Sequence, residues 1–98
     1  MQGIYAAVTR RRADGHPGPA GWYPEESVSV AEAVYAYTAG AAYAAGEEQI
    51  KGTVAPGMLA DLTVLSTDIF REASDAILET ETVATLVGGE FVFGGERL

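Results

Sequence analysis

His16 is the single imidazole of a 98-residue chain that has no cysteine. An imidazole held beside a serine hydroxyl and a carboxylate can run acyl transfer. The available hydroxyls are Ser27, Ser29, Ser66 and Ser74, and none lies in a G-x-S-x-G elbow. Ser29 stands three residues before Glu32, the spacing of a helix capping box, which gives it a structural task. His16 sits between Gly15 and Pro17, a poor support for a base that must be held to a fraction of an ångström. A hydrolytic metal centre commonly takes two or more histidines, and this chain has one. No catalytic residue and no metal ligand is therefore assigned, and no cofactor is expected in this chain.

The remaining polar groups read as structural. Glu25-Glu26 and Glu47-Glu48 are adjacent pairs, and neighbours in sequence do not face each other across a helix or strand. Asp61 follows a Pro-Gly turn and precedes an apolar run, so its carboxylate is expected to accept N–H groups of the Pro56–Ala60 connection. Neither phosphate-binding glycine pattern, G-x-x-x-x-G-K-[ST] or G-x-G-x-x-G, occurs. The Arg10-Arg11-Arg12 run can be read as an anion patch or as basic residues at the negative end of a helix dipole; the second reading is the plainer. Trp22-Tyr23 lies in a loop, either lining a substrate pocket or pinning the loop to a core. These two are the only candidate substrate-binding residues.

The elements that hold these residues can be read from periodicity. Ile4, Ala7 and Val8 share one helical face, so a helix is predicted over 3–11. Residues 13–26 contain three prolines and three glycines and are predicted to be an irregular loop, a length that is usually functional. Beyond the Ser29 cap, Val30, Val34, Tyr37, Ala41 and Ala44 form one stripe, divided at Gly40 into helices near 30–38 and 40–45. Gly46 then stops the helix. The period changes to two afterwards, and strands are predicted at 50–54, 60–65, 82–87 and 90–93. Pro56-Gly57 suits a type II turn and Gly88-Gly89 a two-residue hairpin. A turn of helix is expected near 74–79. The fold class is α+β: N-terminal helices followed by a small, mostly antiparallel sheet.

Six Lys+Arg against fourteen Asp+Glu give a net charge of −8. That balance argues against nucleic acid or an anionic membrane as a partner. No apolar run reaches the length of a membrane span, no charged leader is seen, and a soluble cytoplasmic protein is expected.

Three segments resemble a known family. Lys51-Gly52-Thr53-Val54-Ala55-Pro56-Gly57-Met58-Leu59-Ala60-Asp61-Leu62-Thr63-Val64-Leu65 is similar to the K-G-S-I-x-P-G-K-x-A-D-L-V-V-L signature of the amidohydrolase superfamily. Val83 to Phe93 resembles its closing V-x-x-T-x-V-G-G-x-x-V-Y hairpin. Gly3 to Arg11, with Gly21-Trp22-Tyr23-Pro24 and the Glu32…Thr38 stretch, resembles the end of amidohydrolase family 3, the branch with N-substituted formamide deformylase-like enzymes. One departure is Met58, where the signature usually has Lys. The resemblance implies a chain several times longer, with a metal-bearing (β/α)8 barrel beside a small sandwich built from both chain ends. Residues 1–46 would then be terminal helices and the Pro/Gly loop of an incomplete barrel domain, and 47–98 the C-terminal strands of the sandwich. The metal ligands, a divalent zinc-type site in the parent, would all precede Met1, which falls where relatives often carry an internal methionine.

The expected function is thus that of a C-terminal fragment of a metal-dependent amidohydrolase, hydrolysing non-peptide C–N bonds of amide or formamide type and inactive alone. Its partner would be the missing N-terminal part or a second copy in a homo-oligomer. The alternative is a small acidic self-associating module without catalysis, because a sheet removed from its sandwich exposes an edge and an apolar face.

Overall fold

In a computed structural model, which describes residues 1–97, the chain forms two compact units. The first joins Met1–Val34 to Thr67–Glu81. Its opening helix, α1, covers Gln2–Thr9 and ends two residues before the predicted boundary. Arg10 stops it by taking a left-handed conformation (φ 59°), with its N–H donated to the Ala6 carbonyl. Arg10 is thus the C-cap residue and Arg11 and Arg12 follow it, so the basic run stands at the helix's C-terminal end with none of it in the last helical turn. Tyr5 of α1 and Ile77 of the short helix Ala76–Glu79 are buried, as are Ile69, Ala33 and Thr80.

The Pro/Gly loop is irregular, as expected, but ordered by turns. Gly15, Gly18 and Gly21 donate N–H bonds to Arg12, Gly15 and Gly18 respectively. A single 3-10 turn, Pro24–Glu26, follows. The next helix, Val30–Tyr35, begins with the predicted capping box: the Glu32 N–H donates to Ser29 Oγ at 3.0 Å, and the Ser29 N–H donates to Glu32 Oε1 at 3.0 Å.

The second unit joins Tyr35–Ser66 to residues from Thr82 onward. In chain order the helices are α1, α2 (Val30–Tyr35), α3 (Ala41–Ala44) and α4 (Ala76–Glu79). Between α2 and α3 lies a five-residue π-helical turn, Ala36–Gly40, where the sequence predicts a break at Gly40. Gly46, at φ 74°, ends this run.

The strand predicted at 50–54 does not form. Ile50 and Lys51 donate N–H bonds back to the Glu47 carbonyl, which makes a turn, and Gly52 sits at φ 97°. A Cβ at Gly52 would stand 2.8 Å from the Ala42 Cβ. Close packing on the α3 segment thus outweighs the β-branched residues that suggested extension.

The sheet has three antiparallel strands in the order β1-β2-β3: β1 Leu62–Leu65, β2 Thr82–Val87 and β3 Glu90–Phe93. Leu62, Thr63 and Val64 lie opposite Leu86, Thr85 and Ala84. Ala84 is fully buried, whereas every residue of β3 is exposed. Gly88 and Gly89 both have positive φ, as a type I′ hairpin turn demands. The α+β class is the one expected.

Candidate functional site

The end of α1 and the Pro/Gly loop are tied together by one residue pair in the first unit. The Trp22 N–H donates to the Arg10 carbonyl at 2.9 Å, and Arg10 Nε donates to the Trp22 carbonyl at 2.8 Å. The Arg10 guanidinium carbon stands 5.3 Å from the Trp22 ring centroid, a cation–π geometry. Gly21 is required beside this clasp, because a Cβ there would run into the Thr9 carbonyl oxygen. The loop is closed again at its base, where the Arg12 N–H donates to the His16 carbonyl at 2.8 Å. The His16 N–H in turn donates to Asp14 Oδ1 at 2.9 Å.

These ties gather side chains around a cavity of about 480 Å³, lined by Arg10, Arg11, Arg12, His16, Pro17 and Trp22 together with Ala6. Arg11 is held by Asp75 Oδ1 at 3.3 Å and lies 5.5 Å over the Tyr5 ring. Its Nε is sealed from solvent and has no acceptor.

Of the two sequence-selected aromatics, Trp22 lies on the cavity. Tyr23 packs edge-on against Trp22, with centroids 4.9 Å apart, and is not one of the lining residues. Both residues are more than half exposed, so Trp22 pins the loop to Arg10 and not to a buried core. The arginine run and His16 are the members that sequence reasoning left aside. Their signal was three consecutive cations between a helix end and a turn-rich loop.

The other candidates are structural. Ser29 is occupied by its capping box, and its hydrogen bonds hold the Glu32 carboxyl below its ordinary value. Asp61 does not serve the Pro56–Ala60 connection. Its Oδ1 accepts the N–H of Gly88 at 2.8 Å, while the Ala60 carbonyl accepts the N–H of Gly89. The preceding turn closes by itself through Met58 N–H to the Ala55 carbonyl, with Gly57 at φ 89°. A smaller cavity of about 230 Å³ beside it is walled by Val54, Pro56, Met58, Leu59 and Leu62. Met58 thus contributes apolar surface there. Among the described residues no three His, Cys, Asp or Glu side chains stand close enough to hold a metal ion. The residues present do not fit a metal.

The amidohydrolase family model matches residues 1–93. The chain belongs to the amidohydrolase family. Among curated relatives, the candidate amidohydrolase YtcJ of Bacillus subtilis (strain 168) is 34% identical over 93 residues, which is 95% of this chain and 17% of the relative. The Arabidopsis thaliana protein LONG AFTER FAR-RED 3 is 38% identical over 72 residues, or 74% of this chain and 12% of the relative. The amidohydrolase chain described here therefore spans less than a fifth of the length of either relative. No solved structure gives a significant match.

Proposed function

We propose that this chain is the C-terminal part of a metal-dependent amidohydrolase that cleaves non-peptide C–N bonds of amide or formamide type, and that alone it is inactive. The observation that carries the reading is the family match over residues 1–93 in a chain that spans only 17% of YtcJ. One histidine and no cysteine leave the chain short of the imidazole and thiolate ligands that a hydrolytic metal centre commonly takes, which supports the reading. A divalent metal of zinc type would be held by residues of the longer protein outside this chain, and it would supply Lewis-acid activation of water and of the carbonyl. Trp22 and Tyr23 contribute an aromatic wall near the substrate, and the catalytic groups reside elsewhere. The protein works in the cytoplasm. No helix among the described residues is long and apolar enough to cross a membrane. Its exposed β3 side chains are covered by the preceding part of the parent or by a second copy.

The test is a comparison of two proteins. The purified 98-residue chain should contain no stoichiometric metal and should not hydrolyse formamides or N-acyl amines. The longer protein should do so, lose the activity to a chelator, and show an altered KM when Trp22 and Tyr23 are both replaced by Ala. Turnover with stoichiometric metal in the 98-residue chain would overturn the claim of inactivity. Unchanged kinetics in the double variant would remove the aromatic pair from the substrate site.

A further inference from the structure

We propose that the Arg10–Trp22 cavity is a binding site for a small monocarboxylate carrying an apolar group. Half of the chain's six basic residues line this one cavity, in a protein of net charge −8. Placing three guanidinium groups side by side is costly unless something negative offsets them. Two carboxylates are held at this end of the unit by hydrogen bonds: Asp75 is paired with Arg11, and Asp14 caps the His16 N–H. Set against the three arginines, these two leave one positive charge at the cavity. Among the described residues no carboxylate pairs with Arg10 or Arg12.

The geometry is prepared for an anion. Arg10 is fixed at both its Nε and its backbone carbonyl by Trp22, and its terminal nitrogens are left over. A planar guanidinium fork matches a carboxylate in two parallel bonds. His16 adds an imidazole that can donate or accept. The remaining walls, Trp22, Pro17 and Ala6, are apolar and suit a hydrocarbon or ring attached to the carboxylate. A single excess charge and apolar walls favour a monovalent carboxylate over a phosphate dianion. The site rests on the first unit alone, and it holds whether or not the longer protein hydrolyses an amide.

Trp22 is the only tryptophan, so its emission reports directly on the cavity. The 98-residue chain is titrated at constant ionic strength with phenylacetate, with neutral phenylacetamide and with inorganic phosphate. Amide shifts are followed in parallel by nuclear magnetic resonance. Phenylacetate should give a saturable change confined to residues 10–22, and phenylacetamide none. Arg12→Gln should weaken it about tenfold or more, the effect of losing one charge-assisted bond. Arg12 is exposed, and its backbone tie to His16 survives the substitution, so loss of folding does not confound the result. Three outcomes overturn the proposal: no saturation with phenylacetate, equal response to phenylacetamide, or an unchanged midpoint in Arg12→Gln. Phosphate binding at lower concentration than phenylacetate overturns the carboxylate assignment.

Discussion

Two glycines in the second unit separate backbone freedom from packing. Gly57 and Gly94 both hold positive φ, at 89° and 71°. A Cβ at Gly57 meets nothing within 4 Å, whereas one at Gly94 would collide with the Val83 carbonyl oxygen. Gly57→Ala should therefore cost only the left-handed strain, about 1 kcal/mol. Gly94→Ala should cost about 2–3 kcal/mol or more, because β2 and its neighbour must also part. Urea midpoints of the two variants decide this, and equal values would contradict it. Asp61 makes a second residue-scale case. Its carboxylate ties the entry of β1 to the hairpin turn through Gly88, so Asp61→Ala should lose about 0.5–1.5 kcal/mol. Asp61→Asn keeps a carbonyl acceptor and should recover part of that. This tie was not readable from sequence, where Asp61 and Gly88 are far apart and only the local turn offers itself as a partner.

Helix α2 shows which elements announce themselves. The Ser29–Glu32 box and Gly46 are local rules written in adjacent residues, and both are seen in the structure. The β2–β3 hairpin was legible for the same reason, since Gly88-Gly89 encodes its own turn. The strand expected at 50–54 failed because its fate depends on Gly52 packing against Ala42, a contact that no periodicity reports. The cavity was hidden likewise. Arg10 and Trp22 meet only through the path of the loop between them. Replacing Ser29 by Ala should destabilise the helix start by about 1 kcal/mol. A pH dependence accompanies it. The folded Glu32 carboxyl lies below its ordinary value of 4.5, so its contribution is present above that pH and is lost as pH falls through the folded value. Circular dichroism melts between pH 6 and 3 should show this decline in the parent chain and a flatter profile in Ser29→Ala. Parallel profiles would remove the capping box as the cause.

At the scale of the molecule, acidity and exposed apolar surface oppose each other. Phe91, Val92 and Phe93 are all at least half exposed, while a net charge of −8 keeps copies of the chain apart. Salt screens the repulsion and leaves the apolar attraction in place. The 98-residue chain should accordingly self-associate more at high ionic strength, and Phe91→Ser with Phe93→Ser should suppress the effect. Light scattering measures both. A clean monomer at every salt concentration, with a cooperative melt, would mean that β3 needs no cover. The family was legible across most of the chain because its signatures sit in turns and strand edges, where residue type is dictated by backbone shape. Activity was not legible, since the chain spans less than a fifth of its relatives.

The paired bonds between Arg10 and Trp22 have a bearing on how this family can vary. They join the two ends of residues 11–21, so that segment is closed at its base in the manner of an Ω-loop. Doubling the length of such a closed segment costs only about 0.6 kcal/mol of closure entropy. Extra residues placed between Gly18 and Pro19 leave α1 and α2 undisturbed. The stretch is a cassette that can be lengthened while Arg10, Gly21 and Trp22 stay fixed, Gly21 because a Cβ there would run into the Thr9 carbonyl oxygen.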